Sequence, residues 1–127
     1  MPTWDELRAN LEQKYKLTKE EPTWLGLQFG FALDDRQVVQ KLRLDRVTAL
    51  GQPAVALMAD IAEATRVPHK LALQRSMAFE IGGIAINGEL YVARAVLPLA
   101  LEWTLIDAAM IYIAREAARL RETIPSS

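Results

Sequence analysis

Cysteine is absent from this 127-residue chain, which removes disulfides, thiol nucleophiles and thiolate metal sites at once. A reducing compartment is compatible with that absence. Histidine occurs once, as His69, so a pair of imidazoles cannot hold a metal, and a zinc ion there would have only carboxylates for company. No surplus of positive charge exists either: 15 Lys and Arg stand against 16 Asp and Glu, a net charge of -1. The broad positive field that draws nucleic acid or an anionic membrane surface is therefore missing, and neither partner is expected. Long apolar runs are lacking too. The most apolar stretch, 93–114, is interrupted by Arg94, Pro98, Glu102, Thr104 and Asp107, whereas a spanning helix needs ~20 apolar residues. The first residues, Met1 to Glu6, are acidic and lack the basic start and apolar run of a signal peptide. The expectation is a cytoplasmic protein.

What is present is enough to fold. Hydrophobic residues make up 51% of the chain and charged ones 24%, outside the range of disordered sequences. The length suits a single domain over 1–127.

Thr3 and Glu6 have the spacing of a capping box, and Trp4, Leu7, Leu11 and Tyr15 follow at intervals of three and four. This predicts an amphipathic helix with one narrow apolar stripe. Lys19-Glu20-Glu21-Pro22 breaks the pattern. The next segment alternates: Leu25, Leu27, Phe29, Phe31 and Leu33 share one face, with Trp24, Gly26, Gln28 and Gly30 on the other, as a strand requires. After the polar turn Asp34-Asp35-Arg36, a second alternation runs through Val38, Leu42 and Leu44, predicting an antiparallel hairpin. A third, Val55, Leu57, Ala59 and Ile61, follows Leu50-Gly51-Gln52-Pro53; strand is favoured over 54–63, with helix a competitor because of the alanines.

Pro68 suits the first turn of a short helix through Leu71, Leu73 and Met77 to about Phe79. Asn87-Gly88, between Ile84-Ala85-Ile86 and Leu90-Tyr91-Val92, predicts a hairpin with positive φ at both turn residues. Leu97-Pro98 is read as opening a last helix that runs to about Thr123 and stops before Pro125. Its stripe is Leu99, Trp103, Ile106, Met110, Ile113, Ala117, Leu120 and Ile124, while Leu101, Leu105, Ala108 and Tyr112 lie on a second face. That second face must be covered by the first helix or by another subunit.

This order, helix, three strands, helix, hairpin and long helix, resembles the type III secretion chaperone-like fold, which includes the YbjN family of bacterial sensory transduction regulators. The resemblance is carried by Ile81-Gly82-Gly83-Ile84-Ala85-Ile86-Asn87-Gly88-Glu89-Leu90-Tyr91, then Leu97-Pro98-Leu99 and a terminal helix ending Ala117-Ala118-Arg119-Leu120-Arg121. It implies a small, acidic, cytoplasmic bacterial α+β protein that is often a homodimer, has no cofactor, and works by holding another polypeptide.

Catalytic constellations are weak. Gly82-Gly83 with Gly88 lacks the Lys-Ser/Thr of a phosphate loop. Ser76, His69 and Asp60 can be drawn as a triad but lack a nucleophile elbow. Asp34-Asp35 and Glu20-Glu21 read as solvated turns; Asp60 with Glu63, and Glu102 with Asp107, are carboxylate pairs among apolar neighbours that would be candidate general acids if a partner were placed beside them.

Trp24 and Gln28, on the strand face away from the core, are the candidate partner-binding residues. Leu71, Leu73 and Met77 of the short helix, with Leu101, Leu105 and Tyr112 of the long one, are the candidate dimer interface. The expected function is a non-enzymatic protein-binding homodimer. Two other readings compete with it: a small-molecule sensor or enzyme with an apolar pocket lined by Trp103, Met110 and Phe29, and a purely structural subunit of a larger assembly.

Overall fold

The structure is a computed structural model and describes residues 3–123. Helix α1 (Trp4–Lys14) is followed by strands β1 (Lys19–Glu20), β2 (Trp24–Leu33), β3 (Arg36–Ala49) and β4 (Gln52–Glu63). A 3-10 turn at Ala64–Arg66 leads to α2 (His69–Met77), then β5 (Gly83–Asn87), β6 (Leu90–Pro98) and α3 (Trp103–Thr123). The strands form one antiparallel sheet in the order β1-β2-β3-β4-β6-β5. The Ala-rich segment is strand β4, in register with Leu44 through Leu57 and with Ala93 through Ala59.

Sheet and helices meet on one face only. Leu25, Leu27, Leu42, Leu44, Val55, Leu57, Ala93 and Ala95 of the sheet share a single buried cluster with Trp4, Leu7 and Leu11 of α1 and Ile106, Met110, Ile113 and Ala117 of α3. Thr3 begins α1 as the spacing predicts, its hydroxyl accepting the Glu6 N–H at 3.2 Å. Two polar groups are buried within this apolar layer. Gln40, 2% exposed, donates to the Lys41 and Asp60 carbonyls and accepts from Arg121 at 2.6 Å, which fastens the end of α3 to β3. Asp107 accepts from Lys14 and, at 2.5 Å, from the Tyr15 hydroxyl, tying α3 to the end of α1.

Three expectations from the sequence are corrected. Leu97-Pro98 does not open the last helix: both residues pair with Val55 and Ala54 as the end of β6, and the helix begins at Trp103. Leu99 N–H points to the Pro53 carbonyl at 3.1 Å, so the nitrogen of Pro98 faces the other edge. There β5 has already ended opposite Arg94, so the missing N–H costs no ladder bond.

The β5–β6 turn is also displaced by one residue. Asn87 pairs with Leu90 as the last residue of β5, and the central residues are Gly88 and Glu89. Only Gly88 has positive φ, 62°, a pattern that needs glycine in the first central position alone. Backbones positive at both central residues occur instead at Asp34-Asp35 (47° and 67°) and Leu50-Gly51 (53° and 74°). Finally, β1 lies within the segment read as a break, pairing with Gly26 and Leu25; two residues are too few to show a period. Ile124 and Pro125 lie outside the described residues.

Two substitutions test this backbone. Gly82 has φ of 64°, and a Cβ there would run into the Arg94 carbonyl and come within 2.8 Å of Ala95 Cβ. Gly82→Ala is expected to cost about 2 to 3 kcal/mol, because strain and backbone collision act together, and a thermal melt measures it. Leu50 sits fully exposed in a left-handed conformation that L side chains disfavour. Leu50→Asn is expected to stabilise by about 1 kcal/mol, since the leucine has no packing to lose; an unchanged or lower melting temperature would contradict it.

Candidate functional site

Because strand side chains alternate, placing Leu25, Leu42, Leu57 and Ala93 under the helices sends their neighbours to the other face. That face carries Trp24, Gly26 and Gln28 of β2, Lys41, Arg43 and Asp45 of β3, Ala56, Met58 and Asp60 of β4, and Leu90, Val92 and Arg94 of β6. Ala54, Ala56 and Val92 are buried yet stand outside the core cluster, which makes them a separate floor. A hollow of about 530 Å³ lies on this side, reaching from Thr18 and Lys19 past Trp24, Gln28, Lys41, Arg43, Met58 and Asp60 to Asn87 and Leu90.

Trp24, the aromatic expected on this side, is half-buried. The Arg43 guanidinium lies 4.0 Å from its ring centroid, a stack that holds both groups flat. Asp45 fixes the other edge of the guanidinium, accepting from Nε at 3.1 and 3.0 Å and from Nη2 at 3.0 Å. Gln28 is exposed one step along the same strand face. The structure thus brings the two partner-binding candidates together on one surface.

The six dimer candidates separate. Leu73 and Met77 are 69% and 89% exposed on α2, beside a groove of about 390 Å³ lined by His69, Leu73, Ile84, Ile86 and Tyr91. Leu71 instead turns inward toward Ile61 and Leu120. Leu101 faces Leu7 and Ile106 across a groove of about 90 Å³ between α1 and the start of α3. Tyr112 stacks edge-on against Phe79 and accepts the Glu80 N–H at 2.8 Å. Leu105 is 53% exposed, so α1 does not cover that face of α3.

The side chains that suggested chemistry do not converge. His69 Nδ1 meets the Tyr91 hydroxyl, while the Ser76 hydroxyl accepts the Ile84 N–H at 2.9 Å. Ser76 lies seven positions after His69 on α2, roughly 10 Å of rise. No triad forms. Asp107 is taken up by Lys14 and Tyr15, leaving Glu102 exposed without it. Among the described residues no group of three or more His, Asp and Glu side chains is placed to hold a metal. The pocket expected between sheet and last helix is not formed by its three candidates. Met110 is fully buried, Phe29 packs against Tyr15 and Phe31, and Trp103 lines the α1 groove. No helix among the described residues is long and apolar enough to cross a membrane.

No protein-family model matches the chain, and no curated protein does. Among solved structures, a chain of the HopA1–SchA chaperone–effector complex is similar over 94% of this chain and 90% of its own, with a TM-score of 0.61 and 15% identity. At that identity the likeness is one of fold. The chain has the type III secretion chaperone-like α+β fold, with three helices and a six-stranded antiparallel sheet.

The Asp107 cluster generates a pH prediction. Hydrogen bonding to Asp107 raises Lys14 above its usual 10.5, and burial, then the same carboxylate, raises Tyr15 above 10.0. Groups raised on folding stabilise fully below their unfolded values and lose that contribution as pH climbs through the folded ones. Stability should fall above about pH 10, and Asp107→Asn should flatten that decline in melts taken from pH 8 to 11. At neutral pH Tyr15→Phe should cost about 0.5 to 1.5 kcal/mol.

Proposed function

We propose that the chain is a non-enzymatic, cytoplasmic module that holds a segment of another polypeptide on the uncovered face of its sheet, through Trp24 and Gln28, and that it works as a homodimer. The observation that carries the reading is the one-sided layering: three helices cover one face and leave a hollow lined by Trp24, Gln28, Arg43 and Met58 on the other. A half-buried aromatic held flat by Arg43, beside Met58 and with no helix above it, suits the docking of a chain. The likeness to a chain of the HopA1–SchA chaperone–effector complex supports the same class of role. It favours the chaperone side of the resemblance; YbjN-type regulation has no observation of its own.

The dimer surface is the edge made by α2 and β5. Leu73, Met77 and Ile86 are exposed there, and β5 is an edge strand with no strand paired to its outer side among the described residues, where the Ser76 hydroxyl takes the Ile84 N–H. A second copy would cover both. A stable interface buries ~1,200 Å² or more in total.

Sedimentation at about 100 μM, where a stable interface is saturated, should give twice the 14.2 kDa chain mass. Leu73→Glu with Met77→Glu should give a folded monomer, while Leu105→Glu should remain a dimer with little change in melting temperature. A wild-type monomer would overturn the dimer, and dissociation by Leu105→Glu alone would move it to α3.

Partner binding is tested by a photo-crosslinking residue placed at Gln28 and, as a control, at exposed Arg115 on α3. Adducts with cellular polypeptides should form from position 28 and not from 115. Equal yields from both would contradict a binding role for this face.

A further inference from the structure

The uncovered face has a charge that the whole chain does not. Arg43, Met58 and Arg94 lie in one cross-strand row, since Met58 pairs with Arg43 on one side and with Arg94 on the other. Residues without side chains flank it, Gly26 beyond Arg43 and Gly83 beyond Arg94. Two strand spacings, ~9.5 Å, separate the arginine backbones. Lys41 follows two residues along β3 on the same face, and Lys19, opposite Gly26, reaches it from β1. Four cations thus face three carboxylates, Asp45, Asp60 and, opposite Leu90 beyond the β4 bulge, Glu63. Asp45 is occupied by Arg43. Among the described residues Lys19, Lys41 and Arg94 make no ion pair, in a chain whose net charge is -1.

Resting on the binding role proposed above, we infer that the segment held here is acidic, with carboxylate side chains that meet Lys41 and Arg94 and apolar ones that lie on Met58 and Trp24. The Trp24–Arg43–Asp45 stack is a fixed platform at one side of the hollow. Arg94 and Lys41, exposed and without an ion-pair partner, supply the charge that selects. Carboxylates suit this surface better than a phosphate backbone, because Asp45, Asp60 and Glu63 interrupt the cations and would repel a continuous polyanion.

The experiment pans a display library of random 15-residue peptides on the immobilised full chain, reading enrichment by sequencing, with a 15-nucleotide oligo(dT) titrated in parallel. Enriched peptides should be rich in Asp and Glu between apolar residues. They should bind Lys41→Glu/Arg94→Glu at least tenfold more weakly and Arg115→Glu, on the opposite side of the molecule, unchanged, each variant being verified as folded by its melt. Enriched peptides with no acidic bias that are lost on Trp24→Ala would overturn the acidic preference and leave the binding face standing. Peptides indifferent to all of these substitutions, or no enrichment at all, would overturn both. Oligo(dT) binding abolished by Lys41→Glu/Arg94→Glu would replace the acidic peptide with a nucleic acid.

Discussion

The contact on which the molecule depends is the seating of α3 across the middle of the sheet. Ile106, Met110, Ile113 and Ala117 press onto Val55, Leu57, Ala59, Ala93 and Ala95, and most of these side chains are wholly excluded from water. Burying a large aliphatic side chain contributes about 1.5 to 3 kcal/mol. The alanines matter as much as the large residues. Ala114, Ala117 and Ala118 on the helix, and Ala59, Ala93 and Ala95 on the strands, let backbones approach where a longer side chain would hold them apart. With α3 fixed there, α1 and α2 have apolar faces to fill only on the same side of the sheet.

Two polar anchors set where the helix stops sliding. Arg121 reaches Gln40 and the Val39 carbonyl at one end, and Asp107 holds Lys14 and Tyr15 at the other. Each group lies within or beside the apolar layer, where an unpaired polar atom is costly, so the arrangement is specified as well as stabilised. The consequence is a sheet whose second face carries no helix among the described residues.

Fold and function separate here in an informative way. The architecture aligns with a chain of a chaperone–effector complex over most of its length at 15% identity, so layering and topology persist while nearly all side chains differ. A fold does not carry an activity with it. What a partner would meet is set by side chains: an indole stacked under a guanidinium, two glycines flanking a cross-strand row, and cations on one face of a slightly acidic protein.

Local periodicity determined much of this structure. The three and four residue spacing of Trp4, Leu7 and Leu11, the strict alternation from Trp24 to Leu33, and that of Val55 to Ile61 each report which side of an element must leave water, and each element formed accordingly. Trp24 could be assigned to the face away from the core for the same reason. Pairing decided the rest, since the conformations of Leu97-Pro98, Asn87-Gly88 and Lys19-Glu20 depend on strands distant in sequence. Pro98 is strand because Ala54 lies beside it and β5 does not; Gly88 alone bends because Asn87 is held by Leu90. Likewise the meeting of Gln40 with Arg121, 81 residues apart, and the row joining Arg43, Met58 and Arg94 exist only once the sheet is assembled. Periodicity records how each residue partitions from water, but which strand lies next to which is settled by the packing of the whole sheet against α3.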